Sequence, residues 1–213
     1  MLNRSLSGFN RIFCIGKNYI NHAKEMESAI PEVPLVFMKP SSCLVFPGTR
    51  EIAITDQHAD VHYEAEVVLL IGKEGYVTEK KHADRFVKGV TLGLDLTLRS
   101  LQKQLKSQGY PWEKAKALDN SAPIGEFKDF RGFEDFLKLE FGCFINGESR
   151  QYGRVRDMIF DYGELLMEIS RYWKLLPGDL LFTGTPEGVG KLDSGDRISL
   201  TSNQTDAFEW IIR

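Results

Sequence analysis

Glu64 and Glu66 stand two residues apart in Val61-His62-Tyr63-Glu64-Ala65-Glu66-Val67-Val68-Leu69-Leu70-Ile71-Gly72, a β-branched and aliphatic run closed by a glycine. On a strand the side chains alternate faces, so His62, Glu64 and Glu66 point the same way. Two carboxylates side by side repel, and either solvent or a cation must offset that. An edge strand with a wet face is the plain reading, since Glu is mostly a surface residue. Five apolar residues from Val67 to Ile71 weigh against it, because such a run suggests a strand buried on both faces. A third acid stands in Thr91-Leu92-Gly93-Leu94-Asp95-Leu96-Thr97-Leu98, where the four leucines share one face and Asp95 is the lone charge on the other. Three carboxylates without a cysteine or imidazole cluster suit a hard divalent ion: Mg²⁺ or Mn²⁺, with Ca²⁺ in the same class. Nothing in the sequence proves that the two strands adjoin.

Other residues could do acid–base or anion chemistry. His22 and Glu25 are three apart in a short helical stretch and meet on one face. A carboxylate beside an imidazole orients the ring and raises its basicity, as a general base requires, although exposed helices carry such pairs without a role. Lys39 ends the apolar run Leu35-Val36-Phe37-Met38 and either snorkels to water or is held in a pocket for an anion. Arg99 and Gln102 share a helical face, and Lys116 lies between Ala115 and Ala117, with room for something close by. Thr183-Gly184-Thr185-Pro186-Glu187-Gly188-Val189-Gly190 is glycine-rich and follows a strand, but Gly184 and Gly190-Lys191 are one residue too far apart for a phosphate loop, and Leu192 replaces the hydroxyl residue. What remains is a loop whose hydroxyls and amides can approach a small anion.

The elements that must carry these residues follow from period and punctuation. Strands are expected at 11–15, ended by Gly16, and at 179–182, 196–200 and 208–212. A hairpin is expected where 137–145 turns at Asn146-Gly147 into 148–153. Residues 55–61 read as a polar turn. Asp161 with Glu164 is a capping box opening a long amphipathic helix to about Leu175, whose apolar face includes Leu165, Leu166, Ile169, Tyr172 and Trp173 and which Pro177-Gly178 stops. Many short strands and one good helix predict a mostly β or α+β fold, in a single catalytic domain over residues 1–213.

Composition excludes several classes. A net charge of −3 without a basic, aromatic-interleaved run gives no reason to expect nucleic acid. No stretch approaches the ~20 apolar residues of a membrane helix. Cys14, Cys43 and Cys143 are scattered and in no ligand spacing, as free thiols of a reducing compartment would be. The expected location is the cytoplasm.

Taken together, the motifs resemble the fumarylacetoacetate hydrolase family, in its short single-domain branch. They are Gly-Lys-Asn-Tyr-x-x-His-x-x-Glu at 16–25, Phe-Met-Lys-Pro at 37–40, Glu-x-Glu at 64–66, Asp-Leu-Thr-x-Arg at 95–99 and Thr-Gly-Thr-Pro-x-Gly-Val-Gly at 183–190. Each is weak alone; their order and spacing are specific. The departure is at the end, where 201–206 replaces the usual glycine-containing closing strand. The resemblance implies a mixed, rolled β-sandwich with few short helices, usually a homodimer. It implies that Glu64, Glu66 and Asp95 hold Mg²⁺ or Mn²⁺ and that His22 and Glu25 are a catalytic dyad on a lid segment. Lys116 and Gln102 then face the substrate, and Lys39, Arg99 and Thr185 contact its anionic groups. His62 shares parity with the acids and is at most a support.

The expected substrate is a small 2-oxo acid, and the expected reaction is hydrolysis of an acylpyruvate to pyruvate and a carboxylic acid, with oxaloacetate decarboxylation alongside. Related sites isomerise or decarboxylate 2-oxo dienoic acids, tautomerise oxaloacetate or dehydrate sugar-derived 2-oxo acids. A non-catalytic cation-binding scaffold would explain the three acids and leave His22, Glu25 and Lys116 without a task.

Overall fold

The computed structural model describes residues 8–26, 29–53 and 60–213. Most of the polar turn expected over 55–61 therefore lies outside the described residues. The Ala65–Ile71 strand is central in a six-stranded sheet whose order is Lys128–Asp129, Val87–Leu94, Ala65–Ile71, Leu180–Phe182, Arg11–Gly16, Leu35–Pro40. Its apolar run is explained by burial on both faces. Val67, Leu69 and Ile71 enter the larger core, while Val68 belongs to a second cluster with Ile12, Cys14 and Phe182. Leu92, Leu94, Leu96 and Leu98 all lie in the larger core, as their alternation predicts. The pairing of Arg11–Gly16 with Leu180–Phe182 is parallel, and it brings chain segments almost 170 residues apart side by side.

The expected continuous strand from Val61 is in fact two. Val61–Tyr63 pairs with Thr97–Leu98 and Gly190–Lys191 in a separate three-stranded sheet, and Ala65–Ile71 begins after a break at Glu64. Its neighbour breaks at the same level: Val87–Leu94 ends before Asp95, and Thr97–Leu98 resumes in the other sheet. The Asp95 amide still donates to the Glu64 carbonyl at 2.9 Å, so the two chains leave one sheet for the other together. The acids thus sit at a joint between sheets, where the ladder opens, rather than along one flat strand.

A five-stranded sheet forms a further layer, in the order Glu148–Arg154, Glu140–Ile145, Arg197–Ser202, Phe208–Ile212, Glu51–Ile52. Asn146 (φ 54°) and Gly147 (φ 85°) make its hairpin turn in the left-handed conformation that Asn-Gly supplies. The altered stretch near the end forms a local turn in which the Ser202 hydroxyl accepts from the amides of Gln204 and Thr205.

The helix opened by Asp161 spans Tyr162–Ser170, with both arms of the capping box formed. It is shorter than expected, and among the described residues the longest helix is Arg99–Gln108 instead. Tertiary contacts end it: Trp173 packs on Phe13 with ring centroids 5.6 Å apart, and Leu175 exchanges backbone hydrogen bonds with Gly75. Tyr172, expected on the apolar face, falls beyond the helix and is exposed. Asp161→Ala removes the cap on the Gly163 and Glu164 amides, and should cost about 1 kcal/mol. A lower urea midpoint at unchanged m value is the expected readout.

Candidate functional site

At the joint between sheets, Glu64, Glu66 and Asp95 are all buried, and each offers an oxygen so that the three lie within 4.8 Å of one another. Antiparallel pairing sets Glu66 opposite Gly93, two residues before Asp95, so strand register brings the third acid in. Cations surround two of the acids. Lys116 Nζ donates to Glu64 Oε2 (2.9 Å) and Asp95 Oδ2 (2.7 Å), and the Arg99 guanidinium donates to Glu64 Oε1. The Thr97 hydroxyl also donates to Glu64 Oε1, at 3.3 Å. Lys39 lies on the far side, with its ammonium 2.7 Å from Asp95 Oδ1 and donating to the carbonyls of Leu96 (3.1 Å) and Ser121 (2.8 Å).

Glu66 is treated differently. Its Oε2 accepts the Gly184 amide at 2.7 Å. Burial, together with repulsion from Asp95 and Glu64, pushes its pKa well above the carboxylate range. Burial also opposes ionisation of Glu64, but Lys116, Arg99 and His22 outweigh it and hold Glu64 well below that range. Burial disfavours the Lys116 ammonium, yet Asp95 and Glu64 hold its pKa above that of a free lysine. Asp95 Oδ1 is buried without an aligned hydrogen-bond donor among the described residues. An oxygen-only donor set and one carboxylate short of positive charge fit a hard divalent ion.

His22 projects from the short Ile20–Glu25 helix and is 5% exposed. Its Nδ1 is 3.2 Å from Glu25 Oε2, and the Glu25 carboxylate accepts the Gly188 amide at 3.1 Å. The Nδ1–H tautomer satisfies Glu25 and leaves Nε2 with its lone pair. Burial pushes the imidazole below its ordinary pKa of 6.5, with Glu64 and Glu25 pulling the other way. The ring is therefore neutral near pH 7, the state a general base needs.

His22, Glu64, Lys116, Arg99, Gln102 and Thr185 line one narrow cavity that is partly open to solvent. Phe37 and Trp112, with ring centroids 5.8 Å apart, wall it on the apolar side. Arg99 Nη1 donates to Gln102 Oε1 at 2.7 Å, so these two act as a pair. Four expected residues are absent from this lining: Glu25, which is exposed, Glu66 and Asp95, both buried, and Lys39, which is 1% exposed. Lys39 therefore does not snorkel to water; its ammonium is fully engaged with Asp95 and two carbonyls. His62 turns to Asp60, Nε2 to Oδ1 3.1 Å, and stays out of the cavity lining.

The glycine-rich loop addresses acidic groups rather than a bound small anion. Its Gly184 amide addresses Glu66 and its Gly188 amide addresses Glu25, so the carboxylates it approaches are the protein's own. Two buried amides that pattern reasoning passes over hold the loop. Asn18 Nδ2 donates to the carbonyls of Thr183 (2.8 Å) and Phe160 (3.0 Å). Gln151 Nε2 donates to Thr185 Oγ1 (2.8 Å) and the Pro186 carbonyl (2.9 Å), while its Oε1 accepts the Ala65 amide (3.0 Å). Asn18 sits inside the first motif and could have been noticed there. Gln151 lies in the return strand of a hairpin, and nothing local marks it. Gly184 has φ +99°, and a Cβ there would fall 2.6 Å from Asn18 Cβ, so the loop cannot pass Asn18 with a side chain.

Residues 11–208 match the family profile described as fumarylacetoacetate (FAA) hydrolase C-terminal. An oxaloacetate tautomerase of Escherichia coli is 40% identical over 195 residues, covering 90% of this chain and 88% of its own. The mitochondrial oxaloacetate decarboxylase of Dictyostelium discoideum is 38% identical over 206 residues, covering 95% and 94%. Among solved structures, fumarylpyruvate hydrolase from Pseudomonas aeruginosa in complex with Mn²⁺ and pyruvate superposes with a TM-score of 0.91 at 36% identity, over 96% of this chain and 89% of that one.

Proposed function

Because the chain belongs to the fumarylacetoacetate hydrolase family, we propose that its cavity moves a proton at C3 of a small 2-oxo acid, with keto–enol exchange of oxaloacetate as the reaction it performs best. One observation carries this reading: a buried, neutral imidazole, oriented by Glu25, lines the same cavity as Glu64 and Lys116. A scaffold that merely stored a cation would need no such base.

Glu64, Glu66 and Asp95 are the residues to hold Mg²⁺ or Mn²⁺. When bound, the ion supplies Lewis acidity to the 2-oxo group and favours the enolate. His22 Nε2 takes the C3 proton, the C–H electron pair becomes the C2=C3 bond, and the charge passes to the C2 oxygen. Protonation of that oxygen gives the enol, and the reverse order returns the ketone. Glu25 stabilises the imidazolium formed on the way. Lys116, at the boundary between acids and cavity, donates to the charged oxygen, and the Arg99–Gln102 pair orients the carboxylate. Lys39 acts on Asp95 from behind rather than on substrate.

A second reading rests on the similarity to the fumarylpyruvate hydrolase structure. There His22 deprotonates a water instead, the hydroxide adds to the C4 carbonyl, and breaking C3–C4 releases pyruvate and a carboxylic acid. Loss of CO₂ from oxaloacetate breaks the same bond without water.

The test follows loss of the oxaloacetate enol absorbance, and pyruvate release from oxaloacetate and acetylpyruvate, with Mg²⁺ or Mn²⁺ and with EDTA. Expected is metal-dependent enol loss that outpaces pyruvate formation from either substrate. Faster pyruvate release from acetylpyruvate would select the hydrolase, and inactivity in all three assays would remove the 2-oxo acid reading.

A further inference from the structure

Two cations at the cavity have no part in the chemistry above. Lys17 and Lys106 both line it, with His22, Arg99 and Lys116. Neither ammonium has a carboxylate within ion-pair distance among the described residues, whereas many surface lysines here do, including Lys80, Lys128, Lys174 and Lys191. Both are half-buried, although Lys103 and Gln104, on the same helix as Lys106, are exposed. Glu64 is the one acid in the cavity lining among the described residues, and Lys116 and Arg99 already neutralise it.

The two lysines also repel each other. Burial lowers the pKa of Lys106, and the charges of Lys17 and Arg99 add to the effect. Lys17 is held at φ +60°, a left-handed conformation that residues with a Cβ seldom adopt. The buried amide of the next residue, Asn18, is bonded to Thr183 and Phe160, and this anchors the turn that places Lys17. Strain and like-charge crowding persist at a site only when the surroundings impose them, and they gather where a ligand is bound. An anion placed between the two ammonium groups would relieve the repulsion.

We infer that Lys17 and Lys106 read the distal carboxylate of the substrate, so that the cavity selects 2-oxo diacids over 2-oxo acids with a neutral tail. This rests on the proposed 2-oxo acid chemistry and adds its specificity determinant. The acidic end of the cavity takes the 2-oxo acid head, and a tail carboxylate on C3 then points away from the acids to the remaining positive charge. A neutral acyl tail leaves both ammonium groups without a counter-charge.

The test separates recognition from turnover by pairing two unreactive 2-hydroxy acids. Malate carries the distal carboxylate, and 2-hydroxybutyrate has a methyl group in its place. Calorimetric titration in the presence of Mn²⁺ should show wild type binding malate more tightly. Lys17→Met and Lys106→Met should each cut that preference about tenfold, the expected effect of losing one charge-assisted contact. For oxaloacetate the loss should appear in KM more than in kcat. Equal affinity of wild type for the two acids, or a malate preference unchanged in both variants, would overturn the assignment. Because the binding arm needs no turnover, it decides the lysine assignment even if the enzyme proves inactive on oxaloacetate and acetylpyruvate, a result that would overturn the catalytic reading alone.

Discussion

His22→Ala lowers kcat about 10²–10⁴-fold on whichever 2-oxo acid the wild type turns over, the usual contribution of a positioned general base. Stability should change far less, because His22 packs on a short helix and its polar partner Glu25 keeps the Gly188 amide. The pH profile tests the role more sharply than the rate does. The base must be unprotonated, and its pKa is lowered from 6.5 by burial. Wild-type kcat/KM should therefore be on its plateau at pH 7 and fall only as pH drops through the lowered value, with the acid limb below pH 6.5. Glu25→Gln removes a carboxylate that raises the His22 pKa, so that limb should move further down while kcat declines. An alanine variant with wild-type turnover, or one that retains the same acid limb, would take the proton transfer away from His22.

The largest stability effect is expected at Asp95. Its carboxylate faces Lys39 on one oxygen and Lys116 on the other, both at 2.7 Å and all three side chains buried. Asp95→Ala leaves two buried ammonium groups with their main counter-charge gone, and breaking a buried pair in this way costs about 3–5 kcal/mol. A double variant, Asp95→Ala with Lys39→Met, should be less destabilised than the sum of the single changes, since the second removes a charge that the first leaves stranded. Glu66→Gln makes the complementary case. An amide oxygen can still accept the Gly184 N–H, so the fold should tolerate it in EDTA. The wild type, in contrast, should gain stability with Mn²⁺ as RT ln(1 + [Mn²⁺]/Kd), about 2.7 kcal/mol at a hundredfold excess over Kd. The Glu66 and Asp95 variants should lose most of that gain. Scanning calorimetry with and without Mn²⁺ reads both effects. A full Mn²⁺ shift in Glu66→Gln would mean that the ion is held elsewhere.

Lys39 shows how far sequence reasoning could reach. Its place at the end of an apolar strand made it a candidate for water or for a bound anion. In the fold its anion is Asp95, in the break just past the Val87–Leu94 strand, which three other strands of the sheet separate from Leu35–Pro40. Local pattern could say that the lysine was unusual, but not which charge it would meet. The glycine-rich loop taught the same lesson: amides free to approach an anion were legible, and that the groups they address are the acids Glu66 and Glu25 was not.

By itself the sequence determined what local physics controls. Alternation placed the leucines of 92–98 on a core face and put Glu64 with Glu66. Asn146-Gly147 made a hairpin turn, Asp161 with Glu164 made a cap, and the scattered cysteines remained free thiols. The ordered motifs identified the family. Tertiary structure alone decided that the strand through Glu64 splits between two sheets, that the helix from Tyr162 stops at Ser170, and that Asn18 ties the loop to Phe160 while Gln151 ties it to the strand at Ala65. The difference is physical. Periodicity, turns and caps are set by neighbours a few residues away, whereas a buried polar group must find its partner wherever packing brings one, here across as many as 168 residues of chain for Asp179 and Arg11.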